Sequence, residues 1–318
     1  MTRDRLMRAL RVAVAVAVLA FVGYTIGEQW SAVTPHLAEL SALWMLLALL
    51  AVVAGFLCTM LSWRALLADL GSPLPLRPAL RIFFLSQLGK YIPGSIWPVV
   101  AQMELGRGYD VPRKRSATAG LVTIALSLIA AALVGVACVP FIDNVPPAAL
   151  LVLLALPIGA VVLHPPIFSA IVNRVLRLIR KEPLEHPLSR AGELRALGWA
   201  AAAWLAFGVQ AWAIGKDLGA TRSGLLPVAV GGFALAWTAG FLFVLAPAGI
   251  GVREAVLVAV FAGYLSGGDD GAAYALALIS RLLMSLGDVI WAVAAVVLSR
   301  GQRTAAPAAP LVPSDAER

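Results

Sequence analysis

Six ionisable side chains lie within otherwise apolar stretches of this chain: the cations Lys90, Arg253 and Arg281, and the acids Glu104, Glu254 and Asp288. A charge at bilayer depth costs at least about 2.5 kcal/mol on insertion scales, so such groups face one another or a wet cavity. Three cations against three acids admit two chemistries. The residues are neutralised struts, or they line a polar path for a charged head group. Lys90 and Arg253 stand beside chain breaks, where a strut is not needed, and this favours the path.

The breaks are Lys90-Tyr-Ile-Pro-Gly-Ser-Ile-Trp-Pro98 and Leu245-Ala-Pro-Ala-Gly-Ile-Gly251. Each places Pro and Gly within an apolar run, at Pro93, Gly94 and Ser95 in the first and Pro247, Gly249 and Gly251 in the second, and so ends one half-helix and starts another. A new helix N-terminus presents unpaired N–H groups and a positive dipole end, which suit a phosphate, and Lys90 or Arg253 adds a full charge. Paired broken segments in the two halves of a transporter point to a midplane site and to an internal repeat. Arg253 and Glu254 point about 100° apart on a helix, so they contact different partners. Arg281 and Asp288 share a helix face at about 10 Å separation, too far for a direct ion pair, so each needs a partner elsewhere.

These residues require elements that hold them in a membrane. The chain is 61% hydrophobic and 13% charged, with mean hydropathy +0.89, the composition of an integral membrane protein. The run from Ile82 to Met103 is basic at both ends, with Arg77 and Arg81 before it and Arg107, Arg113, Lys114 and Arg115 after it. A crossing segment has its cationic loop on one side, so this run reads as a re-entrant hairpin over about 82–106. Crossings are expected at Val12 to Ile26, Ala42 to Trp63, Ala117 to Val139, Ala148 to His164, Ala196 to Gly215, Leu225 to Ala246, Val252 to Leu265 and Ala272 to Leu298. The seventh is short for a helix that needs about 20 residues.

With both termini cytoplasmic, the inner segments hold 20 of the 25 Lys and Arg, and the outer loops hold Lys216 and Arg222. The net charge of +8 is therefore topological, and nucleic acid is not an expected partner. The basic N-terminus before Val12 reads as an uncleaved anchor, because Glu28-Gln-Trp30 follows the apolar run in place of a small-residue cleavage site. Ile167 to Lys181 alternates apolar residues with Asn173, Arg174, Arg177 and Arg180, the pattern of an amphipathic helix anchored on the inner leaflet. Residues 301–318, rich in Pro and Ala, read as a disordered cytoplasmic tail. Cys58 and Cys138 each sit in an apolar run and suggest no disulfide, and His36, His164 and His186 are scattered. No phosphate-binding loop, serine elbow or zinc motif is present, so no metal and no cofactor is expected.

Gly89-Lys-Tyr-Ile-Pro-Gly-Ser-Ile-Trp-Pro98 and Ala246-Pro-Ala-Gly-Ile-Gly-Val-Arg-Glu254, followed by Arg281, resemble the transmembrane flippase region of the lysylphosphatidylglycerol synthetases and its stand-alone membrane relatives. The resemblance covers roughly residues 10–300. It implies an eight-helix bundle that moves a lipid or lipid-linked head group between leaflets, with Arg253, Glu254 and Arg281 in its polar cavity. Against the family pattern, Ser95 stands where many relatives carry a basic residue, and the third span has no acid. The soluble aminoacyl-transferring domain is absent from this chain, so synthase activity is not expected.

The sequence thus predicts an all-α, polytopic membrane bundle over residues 1–300, with about eight transmembrane helices and one re-entrant hairpin, in the plasma membrane. Its expected function is translocation of an anionic, zwitterionic or lipid-linked head group, without enzymatic activity. The phosphate would rest on Lys90, Arg253 and the half-helix ends, and Glu104, Glu254 and Asp288 would balance them or receive an ammonium. Two alternatives come from other classes: a membrane-embedded transferase acting on a polyprenyl-phosphate-linked sugar, with Glu104 or Glu254 as general base, and a non-catalytic membrane partner subunit. The expected partners are a membrane lipid or lipid-linked substrate. A membrane enzyme and an oligomer are both compatible with the sequence.

Overall fold

The computed structural model describes residues 34–37, 40–91, 97–141, 167, 170, 173, 174, 188–242, 251–265 and 270–298. The expected spans at Val12–Ile26 and Ala148–His164, most of the amphipathic segment, the C-terminal tail, and the break residues Pro93, Gly94, Ser95, Pro247 and Gly249 lie outside them. Among the described residues the chain is helical and has no strand. The helices of ten or more residues are α1 (Ala42–Asp69), α2 (Leu76–Gln87), α3 (Trp97–Arg107), α4 (Arg113–Cys138), α5 (Arg190–Asp217), α6 (Leu225–Leu242), α7 (Val252–Phe261) and α8 (Asp270–Leu298). Four of these regions, in α1, α4, α5 and α8, are long and apolar enough to cross a membrane. α7, with 10 residues, extends about 15 Å, half the hydrocarbon thickness.

α1 and α5 form the most extensive helix pair. Their antiparallel register is fixed by an aspartate at each end. Asp217, ending α5, accepts the Ser41 N–H in front of α1 at 2.9 and 3.2 Å. Asp69, ending α1, accepts the Ser189 N–H at 2.7 Å and the Ser189 hydroxyl, while that hydroxyl caps α5 by accepting the Gly192 N–H at 3.0 Å. Each aspartate satisfies backbone donors that a helix start leaves free.

The remaining contacts sort the loops to two ends. At the Asp69 end, Arg115 donates to the Gly71 carbonyl at 2.9 Å, Arg64 to the Leu74 carbonyl at 2.8 Å, and Arg81 to the Tyr109 hydroxyl at 3.2 Å. At the Asp217 end, Arg222 donates to the Gly263 carbonyl at 2.8 Å, and Lys216 to the Ala220 carbonyl at 3.2 Å. The basic segments around 64–81 and 107–115 therefore gather at one end, apart from Lys216 and Arg222, as the charge bias of the sequence predicts.

Two broken segments hang from these ends. α2 and α3 pack on each other and join beside Gly89, where a Cβ would lie only 3.0 Å from the backbone of Trp97. Their outer ends meet at the basic end, and the 3-10 turn Leu88–Tyr91 continues the inner end of α2 beside the start of α3. α6 and α7 also pack together, and their outer ends meet at the opposite end through Arg222 and Gly263.

Aromatic packing fixes both hairpins. Phe84 of α2 stacks on Trp291 of α8 at 4.5 Å, and the Trp291 indole donates to the Val53 carbonyl of α1 at 3.0 Å. Phe233 of α6, Phe207 and Trp204 of α5 and Phe261 of α7 occupy the larger apolar core. The outer surface stays apolar: Leu282, Leu286, Val289, Val293 and Val297 are exposed along one face of α8. A helix facing water would not keep such a stripe, whereas one facing acyl chains does.

Candidate functional site

α8 is the element on which both tips converge. Its Gly287 lies so close to α1 that a Cβ there would meet Val52 at 2.6 Å, which brings the backbone beside Asp288 deep into the bundle. Asp288, 5% exposed, takes the Lys90 ammonium at 2.6 and 2.8 Å and the Tyr91 hydroxyl at 2.7 Å. Lys90 also lies over the Phe56 ring, 5.0 Å from its centroid. The short 3-10 turn Leu88–Tyr91 is what carries Lys90 and Tyr91 to the end of the first hairpin.

Two turns away on α8, Arg281 donates to Glu254 of the second hairpin. The other Glu254 oxygen accepts the Gly251 N–H at 2.7 Å. Gly251 starts α7 with φ +86°, a backbone state open to glycine, and Glu254 reaches back to it as the acidic half of a capping box. One carboxylate thus shapes the start of α7 and joins it to α8.

Arg253 faces elsewhere, as its position beside Glu254 requires. Its guanidinium lies 4.7 Å over the Phe233 ring and donates to the Ser280 hydroxyl at 3.4 Å. Ser280 in turn donates to the Gln210 side-chain carbonyl at 3.4 Å, and both residues are fully buried. The Gln210 amide nitrogen is buried without a hydrogen-bond partner.

The structure therefore joins Lys90, Asp288, Arg281, Glu254, Gly251 and Arg253 around one stretch of α8. Arg281 and Asp288 each meet a partner from another element, as their spacing requires. Glu104 does not join them. It is half exposed in the last turns of α3, bound to Arg113 at 2.7 and 3.0 Å and near Arg107 at 3.6 Å. Arg113 holds its carboxyl below the usual carboxylate range. The expectation that Glu104 lies at the depth of the other acids is corrected on this ground: α3 carries it about 10 Å along its axis from the tip to the basic end. Sequence reasoning gave no role to Tyr91, Gln210 or Ser280. A lone glutamine within an apolar span was a usable signal for Gln210; nothing marks Ser280 in a helix rich in small residues.

No group of three or more His, Cys, Asp or Glu that could hold a metal occurs among the described residues. The arrangement is a set of fixed charges and hydrogen-bond donors inside an apolar helical bundle, where such groups pair with one another or face a cavity. The chain matches the model of the lysylphosphatidylglycerol synthase TM region over residues 8–292 and belongs to that family. It is accordingly an integral membrane protein of a lipid-related family. No curated protein gives a significant match to the chain.

Proposed function

We propose that this protein carries the polar head group of a membrane lipid, or of a lipid-linked substrate, from one leaflet to the other without making or breaking a bond in it. One observation carries this reading: two helix pairs, joined at opposite ends of the bundle, each bring a charged residue to the same helix, Lys90 to Asp288 and Glu254 to Arg281. Release of the first contact opens the cluster toward the basic end; release of the second opens it toward the other. The acyl chains stay in the bilayer throughout, so only the head group needs the polar route. Family membership supports a lipid as the cargo.

In this reading the first hairpin is re-entrant, the basic end is cytoplasmic by the positive-inside rule, both termini are cytoplasmic, and the bilayer is the plasma membrane. Asp110→Cys in a chain with Cys58→Ser and Cys138→Ser tests the orientation. Labelling from inside is expected, and labelling by an impermeant external reagent would reverse it. Transport is tested by reconstituting the chain in vesicles with a head-group-labelled lipid and quenching the outer leaflet with dithionite. The parent should expose lipid that empty vesicles protect, and Glu254→Gln should lose this at normal yield. Equal exposure with and without protein sinks the proposal.

The mutual neutralisation of the two ion pairs favours a second reading, in which they are struts of a non-catalytic partner subunit. Variants that fail to accumulate, rather than accumulating without transport, would support it.

A further inference from the structure

The structure changes the charge inventory of the membrane interior. Glu104 leaves it, Asp288 is taken by Lys90, and Glu254 by Arg281. Arg253 has no carboxylate within ion-pair distance among the described residues, and the break segments 92–96 and 243–250 contain no ionisable side chain. Among these five residues three cations against two acids leave one positive charge, on Arg253. The two acids are also saturated, since Asp288 already holds an ammonium and a phenol, and Glu254 a guanidinium and a backbone N–H. At this cluster an incoming ammonium would therefore meet only carboxylates that already hold a cation.

The hydrogen-bond chain from Arg253 specifies what complements that charge. A guanidinium only donates, so Ser280 accepts from it and gives its single proton to the Gln210 carbonyl, which leaves the Gln210 NH2 as the unused group at the end of the chain. An unused buried donor beside an unpaired guanidinium calls for an acceptor with negative charge. A phosphate ester offers two non-bridging oxygens, which suits the guanidinium fork on one and a neutral amide on the other. We propose that Arg253, Ser280 and Gln210 form a receiving site for a phosphodiester monoanion, and that the site discriminates against head groups carrying a compensating ammonium.

This inference rests on the translocation reading for its source of phosphodiester, and the experiment separates the two. The purified full chain is titrated by native mass spectrometry with phosphatidylglycerol, phosphatidylcholine and water-soluble glycerophosphoglycerol, and the two lipids are also followed in vesicles. Phosphatidylglycerol should bind about tenfold or more tightly than phosphatidylcholine, the scale of one hydrogen-bonded charge. Arg253→Gln should bring the two lipids within about twofold, Arg253→Lys should retain most of the preference, and Gln210→Leu should weaken phosphatidylglycerol by about tenfold at unchanged yield. Equal binding of both lipids to the parent overturns the site, as does a preference that survives Arg253→Gln. Selective, Arg253-dependent binding without lipid movement upholds the site and overturns translocation. Movement of both lipids at equal rates, slowed alike by Arg253→Gln, upholds translocation and overturns the charge selection. If glycerophosphoglycerol binds as tightly as the lipid, the site stands and its ligand is a soluble phosphodiester, which removes the lipid from the proposed function.

Discussion

The two breaks look alike as sequence, each with Pro and Gly in an apolar run, yet they bring opposite signs to α8. The first delivers a cation, Lys90, to the acid Asp288; the second delivers an acid, Glu254, to the cation Arg281. The first places its charge before the break, at the end of α2 and its 3-10 turn, and the second places it after, in the opening turn of α7. The shared Pro-Gly pattern therefore describes how the chain turns, while the chemistry at each turn is set by different neighbours. Only beside the second break does a described cation, Arg253, lack a carboxylate partner, so under the proposed function recognition and latching coincide there and are separate at the first.

The sharpest way to break this comparison is at Asp288. Asp288→Asn removes a nearly buried carboxylate that holds both the Lys90 ammonium and the Tyr91 hydroxyl and should destabilise by about 3 kcal/mol, read as a lowered thermal midpoint in detergent. Adding Lys90→Gln should recover most of that loss, whereas adding Arg281→Gln should not. Recovery by Arg281→Gln instead would show that the pairing described here is wrong. The corresponding single change at the second break, Arg281→Gln, should cost less, about 1–2 kcal/mol, because both partners are a quarter exposed.

Backbone variants probe the turns without touching charge. Gly251→Ala forces a side chain into φ +86° and should cost about 1–2 kcal/mol, with Glu254 no longer seated on the start of α7. Gly89→Ala must part the two limbs of the first hairpin and should cost about 1 kcal/mol. If either variant is as stable as the parent, that tip is looser than the contacts imply. The smallest effect belongs to Glu104→Gln. Its carboxylate is solvated and stays charged until the pH falls below the usual carboxylate range, so neither thermal midpoint nor lipid movement should change near neutral pH. A loss of transport would return Glu104 to the site.

Composition and the apolar runs were enough to specify a helical membrane protein, because backbone polar groups in lipid must be satisfied within the segment. Pairing was not legible. Lys90 and Asp288 are 198 residues apart, and only packing decides that they meet. Glu104 was misread because position within an apolar run was taken as depth, although Arg107 three residues on is the ordinary signature of a helix end near water. Gln210 was overlooked because a search for charge passes over neutral amides.

α8 shows acyl chains the stripe from Leu282 to Val297 and shows the protein Ser280, Arg281 and Asp288. Neighbouring residues such as Asp288 and Val289 differ by about 100° around the axis, so a rotation of that size would carry a carboxylate into hydrocarbon at a cost of several kcal/mol. The helix is in effect a keyed shaft, free to tilt but not to spin. In the proposed translocation a gate working against it moves like a latch drawn back from a fixed post, one contact at a time, and the polar face of α8 keeps a constant heading while the access side changes.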